Sequence, residues 1–467
     1  MRQVVVGIDS STQSCKVLVL DAATGAEVRS AKVPHPDGTS IDPRIWADAL
    51  HRAWHQADPG SAGTVIGVGL AAQQHGMVAL DADGAPVFDA LLWNDTRSAA
   101  EATAMVDDRG AGFWAHEVGS VPVASFTLTK LAWLARHEPE AAARVHRVVL
   151  PHDYLNHVLT GRWFTDRSDA SGTAYYHPAT GYRTDLLAEY FGRVPELPEV
   201  IAPDAIGGRL LPVFGVGSAP VSAGAGDNAA AALGLGLRTG EMAVSIGTSG
   251  TVFASVPDTP APDPTGAVAG FADATGGYLP LLAVINSARV MASTAELLGA
   301  DLPTFDALAS SGDPLAGGLN LMPYLDGERT PNLPEATGTL TGMSRASLTR
   351  ENLARASVLA VLNSLADAAA ALSEASLPAR QALLIGGGAR ARSLRAAAPE
   401  LFGIDVDVLE AGEYVALGAA RQAVWAATGE LPVFERRVEA RLSPSGASWG
   451  QQSRRLYAAE RTRLYGV

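Results

Sequence analysis

Val4-Val5-Val6-Gly7-Ile8-Asp9, then Ser10-Ser11-Thr12-Gln13-Ser14, then Cys15-Lys16-Val17-Leu18-Val19-Leu20-Asp21: two apolar runs flank a turn of small hydroxyl residues. The pattern is that of a β-hairpin. It returns halfway along the chain as Met242-Ala243-Val244-Ser245-Ile246, Gly247-Thr248-Ser249-Gly250 and Thr251-Val252-Phe253-Ala254. Small turn residues let backbone N–H groups and hydroxyls approach phosphate oxygens closely. A single hairpin of this kind is an ordinary surface turn. Two, each beginning one half of a long chain, suggest paired lobes that close on a nucleotide.

The length supports that division, because 467 residues exceed one compact core. The repeat places a boundary near residue 235, giving domains 1–235 and 236–430, and a rise in charge and proline from Leu431 marks 431–467 as a peripheral tail. An apolar content of 47% describes a globular chain able to bury large cores. The net charge of −14 argues against nucleic acid or an anionic membrane surface as partner, so any phosphate binding must be local. One cysteine, Cys15, excludes an intramolecular disulfide framework or a cysteine metal cage and fits the reducing cytoplasm. The N-terminus has neither the shape of a signal peptide nor the length of a spanning helix.

Strands and helices alternate along the rest of the chain, the signature of an α/β sheet with helical cover. Glu27 to Val33 reads as a third strand. Asp42 caps a helix with Pro43 in its first turn and Ile45, Trp46, Ala49, Leu50, Ala53 and Trp54 along one apolar stripe. Strand signals recur at Val65–Ala71, Arg147–Leu150, Ala382–Ile385 and Asp405–Leu409. Helices are expected over Phe126–Arg136, Asn286–Leu298, Val415–Ala427 and from a Thr349 cap to Glu374.

Several residues could carry chemistry. Asp9 ends a strand just before the polar turn, where a carboxylate can hold a metal ion beside a phosphate chain; its ordinary role would be a turn former. Thr12 offers a hydroxyl, and Lys16 lies where the returning strand could aim an ammonium at a terminal phosphate. Asp227 follows Val221-Ser222-Ala223-Gly224-Ala225-Gly226 and precedes Asn228 and a small-residue helix. Helix capping alone would explain an Asp there, yet the glycines leave room for a ligand. A phosphoryl acceptor hydroxyl needs such a carboxylate to take its proton. Gly386-Gly387-Gly388 between strand and helix suits contact with adenine or ribose, although neither a P-loop nor a dinucleotide fingerprint is present. His75, in Gln73-Gln74-His75-Gly76, and Trp93-Asn94-Asp95-Thr96-Arg97 suit a polyol; a satisfied loop histidine and an ion-paired turn are their bland alternatives.

With these motifs together, the chain resembles the FGGY carbohydrate kinases over roughly residues 3 to 430. One family signature matches Ser125 to Leu134, continuing to His137 and Pro139. A second runs from Gly338 to Met343 and on to Asn352-Leu353 and Ala356-Ser357-Val358, with Leu359 where an acidic or amide residue is usual. Further matches are Asp153-Tyr154-Leu155, Asp169-Ala170-Ser171-Gly172-Thr173, Ala225-Gly226-Asp227-Asn228 and Gly327-Glu328-Arg329-Thr330-Pro331. Gln74 replaces a common methionine, and His152 a common lysine.

The resemblance implies two actin-like, ribonuclease-H-like α/β domains with ATP and sugar in the cleft between them. It implies that Asp9 organises Mg²⁺, often through water, while Thr12 and Lys16 face the phosphates. Gly247, Thr248 and Ser249 would form the opposing phosphate loop, and Gly387, Gly388 and Ala389 would contact the adenosine. Gln74, His75, Asp227 and Asn228 would hold the sugar, with Trp93 beside them and Asp227 as general base. The expected reaction is ATP-dependent phosphorylation of D-xylulose at O5. Ribulose, gluconate, glycerol or an L-ketose remain alternative acceptors. A sugar-responsive nucleotide-binding protein without transfer and an actin- or chaperone-like ATPase are the readings from other classes. The expected partners are a small ketose and ATP, with a homodimer left open.

Overall fold

The computed structural model describes residues 2–467. Its opening run becomes a central strand, β1 (Gln3–Ser10), with Val4, Val5, Val6 and Ile8 all fully enclosed. Apolar residues on both faces are what a strand covered from both sides requires. β1 pairs antiparallel with β2 (Ser14–Asp21), which pairs antiparallel with β3 (Glu27–Pro34). On its other side β1 runs parallel to β4 (Thr64–Ala72), which neighbours β6 (Pro220–Ser222) and β7 (Ala225–Gly226), both in parallel. β5 (Ile206–Arg209) closes that edge.

The second sheet repeats the plan. β8 (Glu241–Ile246) forms an antiparallel hairpin with β9 (Gly250–Phe253), and β9 pairs in turn with β11 (Tyr278–Val284), next to β10 (Ala269–Ala272) at the edge. β12 (Gln381–Ile385) and β13 (Asp405–Leu409) extend β8 in parallel. β14 (Val438–Leu442) adds a last antiparallel strand beside β13. The sheets run β5-β6-β4-β1-β2-β3 and β10-β11-β9-β8-β12-β13-β14, sharing a core in which the opening hairpin carries an antiparallel strand on one side and parallel strands on the other, as expected of a duplicated ribonuclease-H-like unit.

Helices cover the faces. α1 (Arg44–Ala57) buries Trp46, Ala49, Leu50, Ala53 and Trp54, while Ile45 stands 38% exposed, outside the stripe the spacing suggests. Its first residue is Arg44, whose N–H is received by the Asp42 carboxylate at 2.9 Å, and Pro43 occupies the cap position. α2 (Thr127–His137), α3 (Asp227–Leu235), α4 (Ala288–Leu297) and α5 (Arg350–Ala375) lie within two residues of expectation wherever a helix was marked out. α5 is long and apolar enough to cross a membrane, yet 78% of that stretch is buried inside the fold, so it is a core helix. α6 (Arg392–Phe402) and α7 (Tyr414–Thr428) follow.

The segment 431–467 is not a peripheral tail. It contributes β14 to the second sheet and α8 (Trp449–Tyr465), in which Tyr457 is 1% exposed. Arg454 of α8 pairs with Asp367 of α5 at 2.6 Å, and Ser453 accepts a hydrogen bond from Asn363. Charge and proline content misled here because the charged residues serve a helix packed on one face only.

α7 ties the halves together. Although it lies between the second sheet's β13 and β14 in sequence, it packs against β1 and β4, where a methyl group on Gly7 would stand 1.9 Å from the Ala416 carbonyl oxygen. It also crosses α3 so closely that a methyl on Gly418 would meet the Ala230 carbonyl oxygen at 1.8 Å. Only glycine permits backbones to approach this far.

Candidate active site

Three neighbouring strands deliver the site. β1, β4 and β7 run parallel, with Asp9 opposite Ala71, Ser10 opposite Ala72, and Ala72 opposite Gly226. Their carboxyl ends therefore bring Asp9, the Gln73–His75 loop and Asp227 to one rim, the place where open α/β sheets bind ligands. α3 starts at Asp227 itself, whose Oδ1 accepts the Asn228 backbone N–H at 2.8 Å and its side-chain amide at 3.0 Å.

A cavity of about 480 Å³ opens between the lobes at this rim. Asp9, Lys16, Asp227 and Asn228 line it from the first half, facing Ser245, Thr251, Gly387 and Ala389 from the second. Asp227 is thus open to the interlobe crevice and is not sealed within a core. Enclosure on the cavity floor, aided by the nearby Asp9 charge, pushes its pKa up to about 7, against the opposing hydrogen bond from Asn228. Burial likewise raises Asp9 to about 6, with Lys16 pulling it down and Glu413 pushing it up. Two carboxylates in one crevice, one of them poised near neutrality, can accept a proton and hold a cation.

The fit to a divalent cation rests on Asp9. Its Oδ1 is buried with no hydrogen-bond partner among the described residues, and Oδ2 lies 3.8 Å from Lys16 Nζ. A hard carboxylate oxygen left without a proton donor suits Mg²⁺. On the opposite wall, Gly386 in the left-handed region (φ 91°) turns the chain from β12 into the Gly387–Arg390 turn, where Gly387 leaves open space in place of a side chain.

The remaining expected residues fall into two groups. Gln74 and His75 sit behind the rim. Gln74 donates to the Ser168 carbonyl at 2.9 Å and packs against Gly226, immediately before Asp227. His75 has φ 70°, an unusual conformation for a residue with a side chain, and its Nδ1 lies 2.7 Å from the Gly172 carbonyl, which makes that nitrogen the donor. Burial between Phe126 and Phe271, with the Lys130 and Arg329 charges nearby, holds its pKa near 3. His75 is therefore neutral across the working range, and its Nε2 is left as an acceptor.

Thr12, Trp93, Gly247, Thr248, Ser249 and Gly388 do not line the cavity. Trp93, 41% exposed, donates its indole N–H to Thr12 Oγ1 at 2.8 Å, tying a residue expected at the sugar to the first turn. The Gly247–Ser249 turn closes on itself and stands at the start of α4, where Ala288 N–H reaches the Gly247 carbonyl. Gly388 faces Ile246 instead, where a methyl group would collide at 2.5 Å. His152 is enclosed, with Nδ1 3.0 Å from Asp153 Oδ1, and points into protein.

Two cavity residues carried no sequence signal. Glu413, just before α7, binds the Lys16 ammonium. Glu439, on β14, pairs with Arg395 at 2.7 Å, so the last segment of the chain reaches the cavity as well.

The profile of the N-terminal domain of the FGGY family of carbohydrate kinases matches residues 4–234, and that of the C-terminal domain matches residues 242–427. The chain belongs to the FGGY family of carbohydrate kinases. It is 45% identical to a xylulose kinase of Streptomyces rubiginosus over 94% of this chain and 92% of that protein. Identity to a xylulose kinase of Streptomyces coelicolor is 47%, covering 91% and 88%. The crystal structure of xylulose kinase from Bifidobacterium adolescentis superposes with a TM-score of 0.91 at 40% identity, over 98% of this chain and 99% of that one. The two-lobed α/β architecture is thus that of this family of sugar kinases.

Proposed function

We propose that the chain transfers the terminal phosphoryl group of ATP to O5 of D-xylulose, giving D-xylulose 5-phosphate and ADP. The relatives named xylulose kinase, similar over nine-tenths of the chain, support the sugar. The observation that carries the chemistry is the shared cavity of Asp9 and Asp227, with Asp227 poised near pH 7.

Asp227 takes the proton from the O5 hydroxyl as that oxygen forms its bond to phosphorus and the bond to the departing ADP oxygen breaks. Asn228 holds Asp227 Oδ1, which leaves Oδ2 for the sugar. His75 Nε2 and the Gln74 side chain orient the sugar from behind the rim, and Trp93 steadies Thr12 at the first turn. Lys16 offers its ammonium to the outer phosphate, while Thr12 and the Gly247-Thr248-Ser249 turn approach the phosphates as lobes 1–235 and 236–430 close. Gly387 and Ala389, which line the cavity, receive the adenosine. Asp9, with its unpartnered Oδ1, would hold Mg²⁺, which would supply positive charge against the phosphates. Closure excludes water, so the sugar hydroxyl outcompetes hydrolysis. On this reading the enzyme works in the cytoplasm, in keeping with a lone, enclosed thiol.

The test is turnover of the purified protein with Mg-ATP on D-xylulose, D-ribulose, L-xylulose, gluconate and glycerol, with ³¹P and ¹³C NMR of the product. D-xylulose should exceed each of the others by about tenfold or more in kcat/KM, a difference one or two well-placed hydrogen bonds supply. A product phosphorylated away from C5, or a preference for gluconate or glycerol, contradicts the assignment.

A further inference from the structure

Asp9 and Lys16 face each other directly across the β1–β2 ladder, which brings the first atoms of their side chains to about 5 Å. Opposite charges so placed in a largely enclosed site are expected to close into an ion pair. They do so only loosely: Lys16 Nζ stays 3.8 Å from Asp9 Oδ2, an ion pair without a hydrogen bond, and makes its hydrogen bond to Glu413 Oε2 instead. Asp9 Oδ1, though buried, is left bare.

Glu413 is fixed by the helix it precedes. Two residues before Asp9, Gly7 seats the Ala416 carbonyl; at the far end of the helix that begins with Asp227, Gly234 seats the Tyr414 carbonyl. The start of α7 is thus keyed to the elements that carry both carboxylates, and the Glu413 side chain projects into the cavity they share.

We propose that Glu413 is a positioning residue that draws the Lys16 ammonium off Asp9, keeping the Asp9 carboxylate available to a divalent cation. The proposal rests on the nucleotide-site reading above. Without the Glu413 charge, Lys16 swings onto Asp9, and a cation must then displace an ammonium to bind. Two simpler roles are distinguishable. A carboxylate at a helix start favours the helix dipole, a contribution to stability alone. A carboxylate in a phosphate site also repels the nucleotide.

The experiment is calorimetric titration of the full-length protein with ADP, in EDTA and in millimolar Mg²⁺, for wild type and Glu413→Gln. The quantity read is the gain in ADP affinity that Mg²⁺ brings. In the variant this gain should fall by about tenfold, with Mg²⁺-free ADP bound as tightly as before or more tightly. A gain within about twofold of wild type overturns the proposal. That holds whether both forms weaken together, as loss of helix stability predicts, or tighten together, as removal of simple repulsion predicts. In a Lys16→Met background, Glu413→Gln should leave the gain unchanged; a further fall there also contradicts the proposal. A wild type whose ADP binding gains nothing from Mg²⁺ overturns the nucleotide-site reading itself, and the proposal with it.

Discussion

The two hairpins share one architecture and differ in charge. In the first, Asp9 and Lys16 are cross-strand partners; in the second, Ser245 and Thr251 hold a comparable place, and all four side chains line the same cavity. One hairpin therefore presents a carboxylate and an ammonium, the other two hydroxyls. A duplicated unit has no intrinsic reason to keep its copies alike. A charged hairpin on the lobe that also carries Asp227 keeps proton acceptor, cation ligand and ammonium on one rigid sheet, so lobe closure does not alter their mutual geometry. The hydroxyl hairpin is left to grip the nucleotide with neutral groups that tolerate movement.

The contrast predicts a ladder of effects. Asp227→Asn should lower kcat by about a thousandfold, within the range for loss of a general base. Its folding should not suffer. The Asp227 pKa lies near 7 in the fold against an ordinary 3.8, so the fold favours the protonated form, and stability falls as pH rises between those values. The amide cannot ionise, and by thermal denaturation at pH 8 the variant should melt at or above the wild-type temperature. Asp9→Asn should cost about a hundredfold in kcat and demand more Mg²⁺ for half-maximal activity, measured by Mg²⁺ titration of initial rates. Ser245→Ala with Thr251→Val should do least, raising KM for ATP by less than about tenfold with kcat nearly unchanged, as suits the loss of neutral hydrogen bonds. An effect of the hydroxyl pair equal to that of Asp9→Asn would erase the distinction between the hairpins.

How much of this was legible in the sequence depends on the range of the interaction. The hairpins, the strand-to-helix placement of Asp227 and the rim position of Asp9 are written in local pattern, because a strand followed by small residues can do little else. The seam of α7 against Gly7 and Gly69 joins segments several hundred positions apart, and no local periodicity encodes it. Glu413 and Glu439 were missed for that reason: each is an unremarkable acid until the fold brings it to the cavity. Trp93 shows how local reading leaves a role half drawn. An aromatic among polar residues suits a sugar, yet its indole N–H is committed to Thr12. The His152 substitution, conspicuous as a departure from the family pattern, lies in a closed hydrogen-bonded cluster with Asp153 and Asn156 and not at the cavity wall.

The claim beneath all of this is that Asp227 must be ionised to receive the proton of the sugar hydroxyl. The direct measurement is kcat/KM for D-xylulose between pH 5 and 9 at saturating Mg-ATP, for wild type and Asp227→Asn. The wild-type profile should rise with pH and level off above an ionisation near 7, falling about tenfold per pH unit on the acid side. The residual activity of Asp227→Asn should lack that limb. A variant with the same limb, or with turnover close to wild type, would contradict the account.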